Sequence, residues 1–349
     1  MFMTAVVREN ALVESLVRAL PRSPQQRNGL GESDAELLHL PGTDLLLAIT
    51  TDAIVEELEA GLYRDPYLIG WMTVVSSASD LAAVGADPLG ILLSHTLPRR
   101  AAPAFLSRLQ QGVKDACATC GLPVLGGDTN HSDQLHMESS AIGTVPVAEA
   151  MLRTGCRSGD RLYASGPLGI GSAFAFEALT RPDQEPTVPF LPGARLREGQ
   201  LLRRFASSCM DTSDGALATL DEIMRRSSVG VKLDTAIAEL LHPAARQIAE
   251  TAGLPSWTLL AGPHGEFELI FSVPRDRCRA FLVSASRTGW YPLPLGQARA
   301  LPGLEFGPQE GCMSLDTGAI RNLAGEVTSD VNRYVEELMN LAGAAYSGA

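Results

Sequence analysis

Apolar runs of strand length repeatedly end in an aspartate along this chain. LLLAITTD closes on Asp52, LPVLGGD on Asp128, and SSCMDTSD carries Asp211 and Asp214. A buried strand has no use for a carboxylate at its tip unless something there offsets the desolvation. Around these runs the apolar spacing alternates between strand and helix periods. It predicts an amphipathic helix over 9–20, a polar loop over 21–34 and a strand over 44–50 leading to Thr51 and Asp52. A helix of small residues is predicted over 67–85, carrying Asp80 and stopping at Gly85. A strand at 89–97, a helix at 101–120, the PVLGGD strand with a polar loop behind it, and a strand at 138–147 follow.

That order predicts an α/β domain over residues 1–148, and a change of character near 148–160 predicts a second α/β domain over 149–349. In the second, a strand leads into the SGPLG turn and a helix, and a Pro-rich connection spans 182–199. Helices are expected at 195–206, after MDTSDG (with Asp211 or Thr212 as the natural cap), and at 238–252, 275–288 and 325–342. GVKLD, FELIFSVP and YPLPLGQARAL read as strands.

Composition changes this picture in three ways. A formal net charge of -12 argues against nucleic acid or an anionic membrane as partner, although a metal can reverse the sign locally. No run approaches the ~18 apolar residues of a membrane span, and the amphipathic start does not read as a signal peptide. Six scattered cysteines (117, 120, 156, 209, 278, 312) suit reduced thiols and a cytoplasmic setting; Cys117 and Cys120 form a CxxC better read as helix packing. Only Lys114 and Lys232 are lysines, and neither stands in a P-loop or kinase context.

Singly, an aspartate after a strand is most often a helix N-cap, and Asp214 before Gly215 is the plainest example. The set Asp34, Asp52, Asp80, Asp128, Asp211 and Asp214 says more, because four of the six lie in strings dense with Thr, Ser and Gly. Convergent carboxylates repel one another yet hold Mg²⁺ well, typically together with substrate phosphates. Small neighbours let backbone and hydroxyl groups approach a metal or phosphate closely.

TTDAIVE, SDLAAVGADP, GGDT, SGPLG and MDTSDG occur in that order, and the chain from 30 to 300 resembles the thiamine-monophosphate kinase family. That family sits in the superfamily that includes aminoimidazole ribonucleotide (AIR) synthase, selenophosphate synthetase and a hydrogenase-maturation factor. The resemblance implies a two-domain α/β (α+β) fold of AIR-synthase type, and a homodimer that pairs the N-terminal sheets near the active sites. It also implies ATP and several Mg²⁺ ions, with Asp34, Asp52, Asp80, Asp128 and Asp214 as metal ligands. Asp52, Asp128, Asp214 and Arg153 are the implied catalytic set, Thr51 and Ser213 lie beside the phosphates, and Gly126, Gly127 and Thr129 shape the nucleotide loop. Arg153 also reads as a surface arginine in a turn.

The chain departs from the family where the acceptor would bind. GDDAAV becomes GESDAEL, so Ser33 replaces the first aspartate; TTDxxVEGVHF becomes TTDAIVEELEA; and GGEDYEL becomes GPHGEFEL, with His264 new and Glu266 in place of an aspartate. Met72 stands where a lysine is expected, and the C-terminal aromatic segment has no clear counterpart. Ser33, His264 and Glu266 are thus candidate acceptor contacts, with a structural histidine as the other reading of His264; His131 and His136 are weaker candidates. A selenophosphate synthetase fails for want of an N-terminal Cys–Lys pair, and the hydrogenase-maturation factor for want of a C-terminal cysteine. AIR synthase-type activation of an amide or carbonyl on a different acceptor stays open, as does a non-catalytic nucleotide-binding paralogue.

Overall fold

The computed structural model describes residues 5–306, 314–326 and 330–346. Its first half runs α1 (Arg8–Val17), β1 (Glu36–His39), β2 (Leu45–Ala53), α2 (Val55–Glu59), α3 (Pro66–Ala83), β3 (Asp87–Pro98), α4 (Pro103–Cys120), β4 (Val124–Ser132) and β5 (His136–Pro146). The second half runs β6 (Arg161–Ala164), α5 (Ile170–Thr180), α6 (Leu196–Leu202), β7 (Ser208–Asp211), α7 (Ala216–Ser227), β8 (Gly230–Leu233), α8 (Ile237–Leu240), α9 (Pro243–Ala252) and α10 (Thr258–Ala261). It closes with β9 (Leu269–Val273), α11 (Cys278–Arg287), β10 (Leu293–Arg299), β11 (Gly303–Glu305), β12 (Ser314–Leu315), α12 (Thr317–Glu326) and α13 (Val331–Tyr346). The strands form two mixed sheets, β1-β2-β5-β3-β4 and β12-β11-β8-β10-β6-β9-β7.

Helix α3 lies between the two sheets. Asp65 caps it, accepting from Tyr67 N at 3.0 Å, and Pro66 opens it where its missing N–H costs nothing. Leu68, Met72, Val75, Ala78 and Leu81 are buried, and the helix packs on β2, β5 and α4 and also on α6 and β7 of the other half. Such all-round burial explains its small, apolar composition. Two glycines set the α3–α4 crossing. A Cβ on Gly70 would stand 2.0 Å from Leu109 O, and one on Gly112 2.0 Å from Tyr67 O.

A charged network on α7 ties α1 and α12 to the body. Buried Asp221 and Glu222 receive Arg225, Arg226 and, from α12, Arg321 at 2.7 Å to Glu222 and 3.2 Å to Asp221. Asn10 of α1 donates to Glu222 at 2.9 Å.

Most predicted elements are present, and several differ. The helix expected over 238–252 is interrupted, because Pro243 lacks an N–H and forces His242 into an extended conformation (ψ 142°), from which its ring caps α9. The PVLGGD strand does not stop at Asp128. It pairs in parallel with β3 as far as Ser132, so Asp128 is a mid-strand residue. A short strand, β1, forms in a stretch to which no element was assigned, as its backbone completes the edge of β2. The predicted cap of α7 is also absent: Gly215 occupies that position at φ 88°, without a side-chain cap. Cys117, Cys120, Cys156, Cys209 and Cys278 are free thiols, and Cys312 lies outside the described residues.

Gly112→Ala is expected to lower the unfolding free energy by about 1–3 kcal/mol, since a methyl there must push two packed helices apart. Denaturant titration measures this; wild-type stability would mean that the crossing yields without cost.

Candidate active site

Four elements from both halves deliver aspartates to one place. Asp34 sits in the loop before β1, Asp52 near the end of β2, Asp80 in the last turn of α3, and Asp211 at the end of β7. One carboxylate oxygen from each of Asp34, Asp80 and Asp211 lies within 4.8 Å of the others. Among the described residues, Asp34 Oδ2, Asp52 Oδ2 and Asp211 Oδ2 are buried and have no hydrogen-bond donor. Buried acceptors are nearly always satisfied, so three open oxygens in one cluster mark a place built for a positive ligand.

The electrostatics agree. Burial, then the charges of Asp211, Asp214 and Asp34, push the Asp52 carboxyl up to about 7. Burial and Asp34 push Asp211 up to about 6. Asp80 is raised by burial and by Asp52, Asp211 and Asp34, although Thr50 donates to its Oδ2. Asp34 is raised by burial against the pull of Arg153, whose guanidinium donates to Oδ1 at 3.1 Å. Burial opposes the Arg153 charge, but Asp34 and Asp80 outweigh it, so the arginine stays protonated. One guanidinium facing four carboxylates leaves a net negative hole. The donor set is all hard oxygen, which fits a divalent cation such as Mg²⁺.

Asp214 stands beside this group but is open to water, so the upward push it feels from burial and Asp211 is screened. Since Gly215 is the helix boundary, Asp214 is not the cap that its position suggested. Ser213 donates to Asp211 Oδ1 at 2.8 Å, fixing that carboxylate. Thr51 is exposed and accepts from Ser140 Oγ at 3.0 Å. Two carboxylates outside the predicted set, Glu9 on α1 and Glu57 on α2, are raised by burial and also by the Asp214 charge. Asp211 is the principal ligand candidate missing from the implied set; its signal was its place at the tip of SSCMD.

The structure does not bring Asp128 into the cluster within one chain. Its register runs through Ser94 and Glu138 to Ala53, three strand spacings or about 14 Å across the sheet. It lies exposed on edge strand β4, where Asn130 donates to it at 2.8 Å. Gly126 and Thr129 are exposed on the same strand, as is His131. Gly127 has a packing reason for its identity, since a Cβ there would stand 1.9 Å from Leu93 O.

The three altered positions are all buried. Ser33 is buried and donates to Ala35 O at 2.8 Å, closing a turn. His264 is buried among Tyr63, Phe174 and Phe190, with Nε2 2.7 Å from the Tyr63 hydroxyl and Nδ1 3.2 Å from Gly171 O. Burial lowers it to about 4, so it stays neutral. Glu266 accepts from Gly169 N at 2.6 Å, and burial, then Glu268, pushes it up to about 8.

A pH trend follows for the metal-free protein. Asp52 and Asp211 hold protons more tightly folded than unfolded, from the ordinary range near 4 up to about 7 and about 6. Protons therefore favour the folded state in that window, and stability should fall as pH rises from roughly 4 to 7. Asp211→Asn is expected to flatten the trend and raise Tm at pH 8, as read by thermal unfolding in EDTA. A wild-type Tm independent of pH across the window would overturn the reading of an uncompensated cluster.

A family model described as "AIR synthase related protein, N-terminal domain" matches residues 32–145. The thiamine-monophosphate kinases of Escherichia coli O157:H7 and strain K12 are each 31% identical over 287 residues, covering 80% of this chain and 86% of theirs. Among solved structures, tt0281 from Thermus thermophilus has a TM-score of 0.72 at 25% identity, covering 85% of this chain and 96% of that one. A structure described as AaThiL complexed with AMPPCP and TMP has a TM-score of 0.70 at 21% identity, covering 88% and 96%. The chain belongs to the thiamine-monophosphate kinase family, as a kinase-like enzyme on an AIR-synthase-type fold.

Proposed function

We propose that this enzyme transfers the γ-phosphoryl group of ATP to thiamine phosphate, giving thiamine diphosphate and ADP, with Mg²⁺ held by Asp34, Asp52, Asp80 and Asp211. The observation that carries the metal assignment is the set of three buried carboxylate oxygens without donors, on residues from both sheets. The substrate pair rests on the relatives named thiamine-monophosphate kinase and on the neighbour described with AMPPCP and TMP.

Phosphoryl transfer is chiefly positioning and charge neutralisation, and bound Mg²⁺ supplies neutralisation of the triphosphate. The chain's own residues hold the carboxylates in place, through Ser213 on Asp211, Thr50 on Asp80 and Arg153 on Asp34. An acceptor phosphate oxygen is already anionic near neutral pH, so no general base is required. Glu9 and Glu57 make the neighbourhood of Asp214 acidic, which suits the cationic thiazolium of thiamine. Arg153 is the residue best placed to meet phosphate charge beside the cluster.

In the same reading, residues 1–148 and 149–349 are the two domains, and the protein is a cytoplasmic homodimer. The exposed apolar side chains of edge strand β4, Val124 and Leu125, support a paired sheet, and free thiols fit a reducing compartment. No described helix is long and apolar enough to cross a membrane. Pairing through β4 would let Asp128, Gly126 and Thr129 serve a partner's site.

Thiamine monophosphate with Mg-ATP is expected to yield thiamine diphosphate by mass. Asp34→Asn, Asp80→Asn and Asp211→Asn should each cut turnover by at least about 10²-fold. Full activity in any of these variants would remove that residue from the site, and ATP binding without product would move the reaction to another acceptor. Mixing inactive Asp128→Asn and Asp211→Asn subunits should restore up to about half the activity per heterodimer, because one site regains both aspartates. No recovery after verified subunit exchange would confine Asp128 to its own chain.

A further inference from the structure

A cavity of about 460 Å³ opens between the segment 148–155 and the turn after α6, and none of its lining residues belongs to the carboxylate cluster. Its volume is in the range of small-molecule sites. Three arginines line it: Arg203 and Arg204 after α6, and Arg277 at the start of α11. Arg203 is already neutralised, lying 2.8 Å from Glu149 and 3.0 Å from Asp87. Arg204 and Arg277 are exposed, and among the described residues neither has a carboxylate partner. Solvated arginines are ordinary on a surface. These two, however, come from different elements and charge one concave wall in a chain of net charge -12.

A second observation points the same way. Helix α11 has ten residues and begins at this wall, and its N-cap is Arg277, whose side chain makes no cap hydrogen bond. No side-chain cap closes this helix start, and a helix N-terminus favours negative charge. Thr154 offers a hydroxyl on the facing wall. We propose that this cleft is a second ligand site, for a small phosphate-bearing anion, with Arg204 and Arg277 supplying the charge that recognises it. The same segment also carries Arg153, whose guanidinium is directed to Asp34 instead.

The test is equilibrium dialysis of the full chain with pyrophosphate, inorganic phosphate and ADP in EDTA, where the cation-free carboxylate cluster repels anions. Saturable binding of one pyrophosphate per chain is expected, weakening as salt screens the arginines. Stronger binding of ADP than of pyrophosphate would mark the ligand as a nucleotide; the reverse would mark it as a free phosphate. The double variant Arg204→Glu/Arg277→Glu should lose at least tenfold in affinity while keeping wild-type Tm and turnover. Thr154→Asp, which places a carboxylate on the opposite wall, should weaken binding in the same direction should the double variant fold poorly. Wild-type affinity in both variants, or no saturable binding to the wild type, overturns the proposal. Loss of binding in Asp52→Asn but not in the arginine variants does so as well, by moving the anion to the cluster.

Discussion

The mutual repulsion of Asp34, Asp52, Asp80 and Asp211, desolvated together between two sheets, is the constraint around which the rest is arranged. On α7 the same chemistry has the opposite outcome. Asp221 and Glu222 are just as buried, yet Arg225, Arg226 and Arg321 meet them, and Glu222 is pulled down to about 2 although burial opposes it. In the cluster, a single guanidinium faces four carboxylates, and Asp52 is pushed up to about 7. Buried charge unmatched by protein must be matched by something else, because an uncompensated buried ion is among the most costly features a fold can carry.

Holding such a cluster requires rigid delivery. Asp80 arrives on a helix that cannot shift, since Gly70 and Gly112 let α3 and α4 touch backbone to backbone. Asp52 is fixed by strand register, opposite Ser139, whose hydroxyl meets Ser77 of α3 at 2.6 Å. Asp211 ends a strand of the other sheet, so the cluster exists only while the two halves are docked. The Pro-rich connection contributes to this docking, with Trp71 donating to Pro192 O at 2.6 Å and Arg64 to Pro182 O at 2.7 Å.

The positions at which the chain departs from its family read differently once placed. Ser33, His264 and Glu266 are buried; Ser33 closes a local turn on Ala35 O, while His264 and Glu266 tie their loop to the distant Tyr63 and Gly169.

Much of this was legible in residue order. Strand and helix periods gave the alternating plan, and the set of aspartates at apolar strand tips pointed to a cation–phosphate site, because convergent buried carboxylates need a positive ligand although any one of them could be a helix cap. The mid-strand place of Asp128 was not legible, since only pairing with β3 extends β4 past it. Nor was the rank of Asp211 over Asp214: two aspartates three residues apart look alike until the strand ends at one and leaves the other in solvent. Sequence alone determined which residue types and local elements were available, because periodicity and propensity are local. Which carboxylates share one desolvated volume, which are answered by arginine, and which lie a sheet's width away was decided by tertiary structure, because charge interactions depend on distances between segments far apart in the chain.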